Sequence, residues 1–314
     1  MMNDLKQKLV DILKREGADL VRVGGVSRMT DPAVRRLLPS CRSVVCAAFR
    51  QLRGSRRGIE EGTTYYQYTT MAVETLEEVV MPMALLRACD LLEEAGFDAL
   101  PQRRNQLIMA EEDSTNPEVD HSEIYRGVTG ELQLDFERCA VDCGLGERGF
   151  SGSILTDDFG PFQRWVFILT DAELPEDPLV APHLCDGCQA CRRACPGHAI
   201  AADGTLDRWQ CAAYYVGAYR GTNPFMPPDA LADDPERLAV IAGEADLTPK
   251  RAREVLEQIH FYPNMKHAYM ASICGKACDT ACYIRLEERG VLTRRFLTPF
   301  RRRPEWRLPV VEEE

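Results

Sequence analysis

Residues 185–196 read Cys-Asp-Gly-Cys-Gln-Ala-Cys-Arg-Arg-Ala-Cys-Pro, four cysteines spaced C-x2-C-x2-C-x3-C-P. No other feature restricts the fold of this chain as tightly. Three thiolates at x2 spacing turn around one corner of a cube-shaped four-iron, four-sulfur (4Fe-4S) cluster. The fourth, thrown outward ahead of Pro196, ligates a different cluster. One such run therefore asks for a second set of cysteines, and Cys211, Cys274, Cys278 and Cys282 supply it. Eight thiols in the second half match the requirement of two cubes with four ligands each. A zinc site would use two separated pairs of ligands instead.

At 314 residues the chain exceeds the usual size of one hydrophobic core, so two domains are expected. No apolar run approaches the ~18 residues that would span a bilayer. The N-terminus, Met1-Met2-Asn3-Asp4-Leu5-Lys6, lacks a basic stretch followed by an apolar core, which makes the cytoplasm the expected compartment. A disulfide framework belongs to short chains in oxidising compartments, so thirteen cysteines are not read that way here. Cys41, Cys46, Cys89, Cys139 and Cys143 lie in mostly apolar contexts, where a thiol packs as a small hydrophobe. The net charge of -11 disfavours a broad anionic partner such as nucleic acid.

Helix and strand signals alternate through the first half, which predicts an α+β (α/β-type) domain. Leu5, Leu9, Ile12 and Leu13 fall at helical spacing, with Asn3 or Asp4 as the cap. Ala18 to Val23 and Ser43 to Phe49 read as short buried strands. A long helix is expected from Thr70 to Ala95, interrupted at Pro82. Arg53 to Tyr68 reads as a long loop, and Asn105 to Gly130 is polar without a clear pattern. Leu134 to Cys143 predicts a helix stopped by Gly144-Leu145-Gly146. Ser153-Ile154-Leu155-Thr156 and Trp165 to Leu169 flank the turn-forming Asp157 to Pro161, which predicts a hairpin. Three prolines between Glu173 and Pro182 mark the expected linker. Ala199 to Leu206 reads as a small β-turn, and Thr248 to His260 as a helix with Pro249 in its first turn. Six arginines between Arg294 and Arg307 form a basic tail, a candidate docking patch. The expected division is 1–175, 176–290 and a tail over 291–314.

Ahead of the cysteine motif, Gly144-Leu145-Gly146-Glu147, Ser153-Ile154-Leu155-Thr156, Phe159-Gly160-Pro161 and Arg164-Trp165-Val166 follow one another in that order. In these features, from about Leu38 to Glu288, the chain resembles the cobalamin-dependent iron-sulfur reductases, the superfamily that includes epoxyqueuosine reductase and the reductive dehalogenases. The resemblance implies a nitroreductase-like domain holding cobalamin, followed by a ferredoxin-like domain with two 4Fe-4S clusters. It implies that Cys185, Cys188, Cys191 and Cys282 hold one cluster, and Cys195, Cys211, Cys274 and Cys278 the other. It also implies a proton-donating carboxyl ahead of Phe136-Glu137-Arg138, a position that falls on Glu131, with Asp135 nearby. Where the family spells its second motif C-x2-C-x3-C-P, this chain has Cys274-x3-Cys278-x3-Cys282-Tyr283. The helical-repeat extension common in the tRNA-modifying branch is not found.

These features point to a reductase. About 180 residues precede the cluster motif, more than an electron carrier of ferredoxin size needs. An outside donor such as ferredoxin or flavodoxin is expected to supply electrons, and a small molecule to receive them. Two alternatives are a tRNA epoxyqueuosine reductase and an iron-sulfur electron-transfer protein without cobalamin. Glu131 is the first candidate for the proton donor and Tyr125 the second, because a desolvated carboxyl or a phenol beside a cation can give up a proton near neutral pH. Gly144, Gly146 and Ser153 are the expected cobalamin contacts, since glycines at a helix end let backbone amides approach a large ligand.

Overall fold

The structure is a computed structural model that describes residues 1–59, 67–104, 107–108, 126–127, 132–223, 225–259 and 272–300. It is a mixed fold of helices and antiparallel sheet, and its described residues fall into two compact units. The first is drawn from 1–51, 75–110 and 116–187, the second from 52–74 and 188–314. The division thus falls at Gly187, beyond the proline-rich stretch where composition suggested it.

Eight strands are present among the described residues: β1 (Leu20–Gly25), β2 (Ser43–Arg50), β3 (Ala99–Gln102), β4 (Leu107–Ile108), β5 (Arg126–Gly127), β6 (Glu147–Arg148), β7 (Ile154–Leu155) and β8 (Gln163–Thr170). The main sheet of the first unit runs β1-β2-β8-β3, antiparallel throughout. β2 and β8 are buried along nearly their whole length, because apolar layers cover both faces. On one face Leu5, Leu9 and Leu13 of the Met2–Arg15 helix and Leu85, Ala88 and Leu92 of the Met81–Glu94 helix pack against Val45, Ala47, Val166 and Ile168. On the other, Phe136, Cys139 and Ala140 meet Val44, Cys46, Phe167 and Leu169. The alternation of inward positions along each strand thus serves two cores.

The N-terminal helix begins at Met2 and has no side-chain cap, so neither Asn3 nor Asp4 serves as one. The long helix expected from Thr70 is two elements. A wide π-type helix covers Tyr68–Val80, and an α-helix follows over Met81–Glu94 with Pro82 in its first turn, where the missing N–H costs nothing.

Two local expectations fail for the same reason, which is that distant partners take the hydrogen bonds. The hairpin between residues 153 and 169 closes only at its tip, where Thr156 and Gly160 exchange backbone hydrogen bonds; beyond it β8 pairs with β2 and β3, while β7 pairs with β6. Between β7 and β8 the turn is held by the buried Gln163 side chain, which donates to the carbonyls of Ile154 and Gly160 at 3.1 Å and accepts from Thr156 Oγ1 at 2.6 Å. The stretch read as a linker is a strap lying along β1. Asp177 donates its N–H to Val23 O, its carboxylate accepts the Val23 N–H, and Lys6 reaches the same side chain at 2.8 Å.

The second unit is mainly helical. Short helices at Ala190–Ala194 and Arg208–Tyr215 are followed by Pro249–Gln258, which packs on the latter, and by Ala277–Arg289, which packs on the former. Asp207 and Thr248 cap their helices by accepting N–H groups three residues on. The bridge between Ile200 and Leu206 confirms the small turn after the cysteine motif. Arg53 begins a short helix, Arg53–Arg57, in a region read as loop. Among the described residues, no helix is long and apolar enough to cross a membrane.

Candidate metal centre

Cys191 lies inside the Ala190–Ala194 helix, Cys195 ends it, and Cys188 precedes it by one turn that Gln189 makes at a left-handed φ of 57°. Cys211 sits on the Arg208–Tyr215 helix. Cys278 and Cys282 occupy the first two turns of Ala277–Arg289, which packs directly on the Ala190–Ala194 helix. Residues four apart share a helix face, so Cys278 and Cys282 stand on one side of that helix, while Cys274 lies in the turn ahead of it, where this chain has x3 in place of the family's x2. The i, i+4 spacing was readable in advance, but its helical meaning was not drawn from it.

Cys195, Cys211, Cys274 and Cys278 are brought together from separate stretches of chain. Burial raises the Cys211 thiol to about 12, with further upward pressure from Cys274 and Cys195. Burial likewise raises Cys274, where Cys195 adds to the effect, and Cys278, where Asp279, Cys274 and Cys211 add to it. Cys195 and Cys274 each act on Cys211, and Cys274 and Cys211 on Cys278, so these thiols lie near one another. The backbone secures the arrangement, since the Ile273 N–H donates to Tyr215 O at 2.8 Å and ties the Cys274 turn to the helix carrying Cys211. Ala199 N–H donates to Cys195 Sγ at 3.3 Å, and Ser272 Oγ lies 3.3 Å from Cys274 Sγ. A donor set of four soft sulfurs fits an iron-sulfur cluster. Among the described residues, no three His, Cys, Asp or Glu side chains close around a single metal ion.

Cys185, at the end of the first unit, is the most exposed of the motif thiols, and its sulfur accepts an N–H from Phe150 at 3.4 Å. The other five cysteines are free and buried. Burial pushes Cys46, Cys139 and Cys143 well up from the ordinary thiol value, and Cys89 to about 12, so these thiols stay protonated.

Gly144 and Gly146 are buried, and the space a side chain would need is already taken. A Cβ at Gly144 would stand 2.3 Å from Pro178 O, and one at Gly146 2.1 Å from Leu155 O. Their missing side chains thus serve close backbone packing. Ser153 is half-buried beside Ser151, with the two hydroxyls 3.3 Å apart. Glu131 and Tyr125 lie outside the described residues. Asp135 caps the Phe136–Asp142 helix by accepting the Arg138 N–H, and burial raises its carboxyl. Two residues that sequence reasoning passed over bear on the cysteines: Glu147, noted only as part of a motif, and Arg56, placed in a loop.

No family model matches the chain. An epoxyqueuosine reductase of Vibrio cholerae is 35% identical over 88 residues, 27% of this chain and 23% of that protein. A tetrachloroethene reductive dehalogenase of Desulfitobacterium hafniense is 42% identical over 64 residues, 19% of this chain and 12% of that protein. The chain therefore matches less than a quarter of the length of either relative. In fold it is similar to a catabolic reductive dehalogenase solved with 3-bromo-4-hydroxybenzoic acid, at a TM-score of 0.53 and 12% identity over 92% of this chain and 37% of that one. A reductive dehalogenase described as performing B12-dependent dehalogenation gives 0.51 and 15% over 80% and 37%. Over part of its length the chain is thus similar in sequence to an epoxyqueuosine reductase and a reductive dehalogenase, and in fold it is similar to reductive dehalogenases.

Proposed function

We propose that this chain is a reductase in which two 4Fe-4S clusters carry electrons toward cobalamin for the reduction of a small molecule. The observation that supports it most is the convergence of Cys195, Cys211, Cys274 and Cys278, while Cys191 and Cys282 lie on two helices packed together. In the proposed ligand sets, Cys185, Cys188, Cys191 and Cys282 hold one cluster, and Cys195, Cys211, Cys274 and Cys278 the other. Such clusters pass single electrons at potentials set by charge, hydrogen bonds and exposure. The N–H groups of Phe150 and Ala199, aimed at Cys185 and Cys195, are such hydrogen bonds.

Cobalamin, when bound, would supply a strongly reducing cobalt centre. Its place in the proposal rests on the relatives, one of which is described as B12-dependent. Of the residues expected to face it, Ser153 has accessible surface and is retained as a contact; Gly144 and Gly146 are assigned to packing. Glu131 is proposed to deliver the proton that substrate reduction needs, with Tyr125 as the second candidate. A ferredoxin or flavodoxin is the proposed donor, and the cytoplasm the proposed compartment. The net charge of -11 supports a small substrate over tRNA.

The test is anaerobic purification followed by iron counting and an absorption spectrum with and without added cobalamin. About eight irons per chain are expected, together with a saturable corrinoid signal. Four irons would remove one ligand set. Eight irons with no corrinoid uptake would leave an electron-transfer protein, and tight, steeply salt-dependent tRNA binding would favour the epoxyqueuosine reductase alternative.

A further inference from the structure

The most heavily bonded carboxylate near the cysteine motif is that of Glu147. It is 3% exposed and sits at the start of β6. Three consecutive backbone N–H groups converge on it: His183 and Leu184 donate to Oε2, the latter at 2.9 Å, and Cys185 donates to Oε1 at 2.6 Å. Three residues further on, the Phe150 N–H reaches the Cys185 sulfur at 3.4 Å. One short loop therefore grips Cys185 twice, by its backbone and by its thiol. His183 adds a side-chain bond, Nε2 to Asp157 Oδ1 at 2.7 Å.

The chemistry of the grip requires a carboxylate. The segment leading to Cys185 contains Pro175, Pro178 and Pro182, none of which has an N–H to offer a sheet. It is tied to the rest of the unit through Asp177 on β1 and through Glu147. Only an ionised carboxyl presents two acceptor oxygens with enough lone pairs for three donors; an amide presents one oxygen and two competing donors. Burying that charge is tolerable because every oxygen is bonded to N–H groups.

We propose that Glu147 is a positioning residue for the Cys185 thiolate: it fixes where the first ligand of the motif stands, and its fixed negative charge makes the cluster bound there harder to reduce. The inference rests on the cluster reading given above. Two influences meet at Cys185. The Phe150 N–H stabilises added electron density on the sulfur, and the Glu147 carboxylate opposes it, since charge and hydrogen bonds at the ligand sulfurs set a cluster's potential.

The test uses Glu147→Gln, Glu147→Ala and Cys185→Ser, each purified anaerobically as the full chain. Iron is counted, and both clusters are titrated by electron paramagnetic resonance at controlled potential. Cys185→Ser identifies which signal belongs to the cluster at that ligand. In Glu147→Ala that signal should fall and iron should drop from about eight toward about four. In Glu147→Gln the same cluster should either be retained with a more positive potential or be lost as in Cys185→Ser, while the other cluster keeps its potential. Wild-type iron and potentials in both variants would overturn the proposal. So would equal loss of both clusters together with a lowered melting temperature, which would make Glu147 a brace of the fold alone. Absence of iron from the wild type would instead defeat the cluster reading.

Discussion

The two ends of the cysteine set are held by opposite means. At Cys185, in the first unit, an anion gathers backbone N–H groups: the Glu147 carboxylate binds three of them within a framework of sheet. At the Cys274–Cys278 turn, in the second unit, a buried cation does the holding. Arg56 is 1% exposed, lies over the Tyr68 ring at 5.4 Å, donates weakly to Gly275 O at 3.5 Å and faces Asp279 at 3.9 Å. Lys276, in a left-handed conformation at φ 49°, approaches Asp279 at 3.7 Å. The first arrangement is complete without any metal, because all its charges are answered by the chain. The second crowds four thiols together and raises three of them through burial and mutual repulsion. One ligand is thus mounted on bonds internal to the chain, whereas the other group is marked by buried thiols.

The largest effect should come from removing iron. Chelation under reducing conditions is expected to loosen the second unit and spare the first, because cluster binding contributes folding free energy to small metal domains whereas the sheet has two apolar cores of its own. Hydrogen exchange would show fast amides in the Arg208–Tyr215 and Ala277–Arg289 helices and slow ones in β2 and β8. Uniform exchange across both units would erase the contrast.

Next in size is the buried cation. Replacing Arg56 by Met removes one of the two cations facing Asp279 and leaves Lys276, so the loss should fall below the ~3–5 kcal/mol of a buried pair broken from one side. Iron content should fall with it. The double variant Arg56→Met, Asp279→Leu should recover much of that stability in thermal melts, because the buried carboxylate goes with its buried cation and the partly exposed Lys276 can turn to solvent. If the single and double variants melt alike, the pair does not hold the turn.

Gly146→Ala probes the first unit without touching a cysteine. A Cβ driven against Leu155 O should cost about 1–3 kcal/mol by overpacking. Iron per folded chain should stay at the wild-type value, and a selective loss of iron would show that the glycine serves the metal centre directly.

How much of this was legible in the sequence differs between the two ends as well. The C-x2-C-x2-C-x3-C-P run announces its chemistry because cube geometry dictates the spacing. The buried strands and the capped Pro249–Gln258 helix follow from local pattern. Pairing did not: β8 was assigned to its sequence neighbour, but its ladder lies with β2, more than a hundred residues earlier. Proline content suggested a free linker at residues 173–182, yet side-chain bonds through Asp177 fasten it, and composition carries no record of such bonds. Arg56 looked like one charge in a polar loop; only the packing of Tyr68 and Asp279 around it reveals a buried ion.

The smallest expected effect is set by pH. Arg251 holds the Asp234 carboxyl below its ordinary value through a side-chain hydrogen bond, fastening the Pro249–Gln258 helix to the preceding segment. A depressed folded-state pKa contributes stability above the unfolded value of about 3.9 and loses it as pH falls through the folded one. The contribution should be about 1 kcal/mol, since Arg251 is partly exposed. Melting curves of wild type and Asp234→Asn should therefore differ at neutral pH and converge as the pH falls below the ordinary carboxylate range. A constant difference would place the effect elsewhere.

The placement of Cys278 and Cys282 on the Ala277–Arg289 helix has a consequence for synthesis. A ribosome releases Cys185 to Cys195 first and Cys282 about 90 residues later, an interval of roughly 4 to 18 s. Through that interval the nascent chain holds thiols whose partners do not yet exist, so neither ligand set can be completed until the helix emerges. On the proposed ligand sets, iron loading would therefore be a late event, and the early cysteines would be open to oxidation until the last helix supplies their partners.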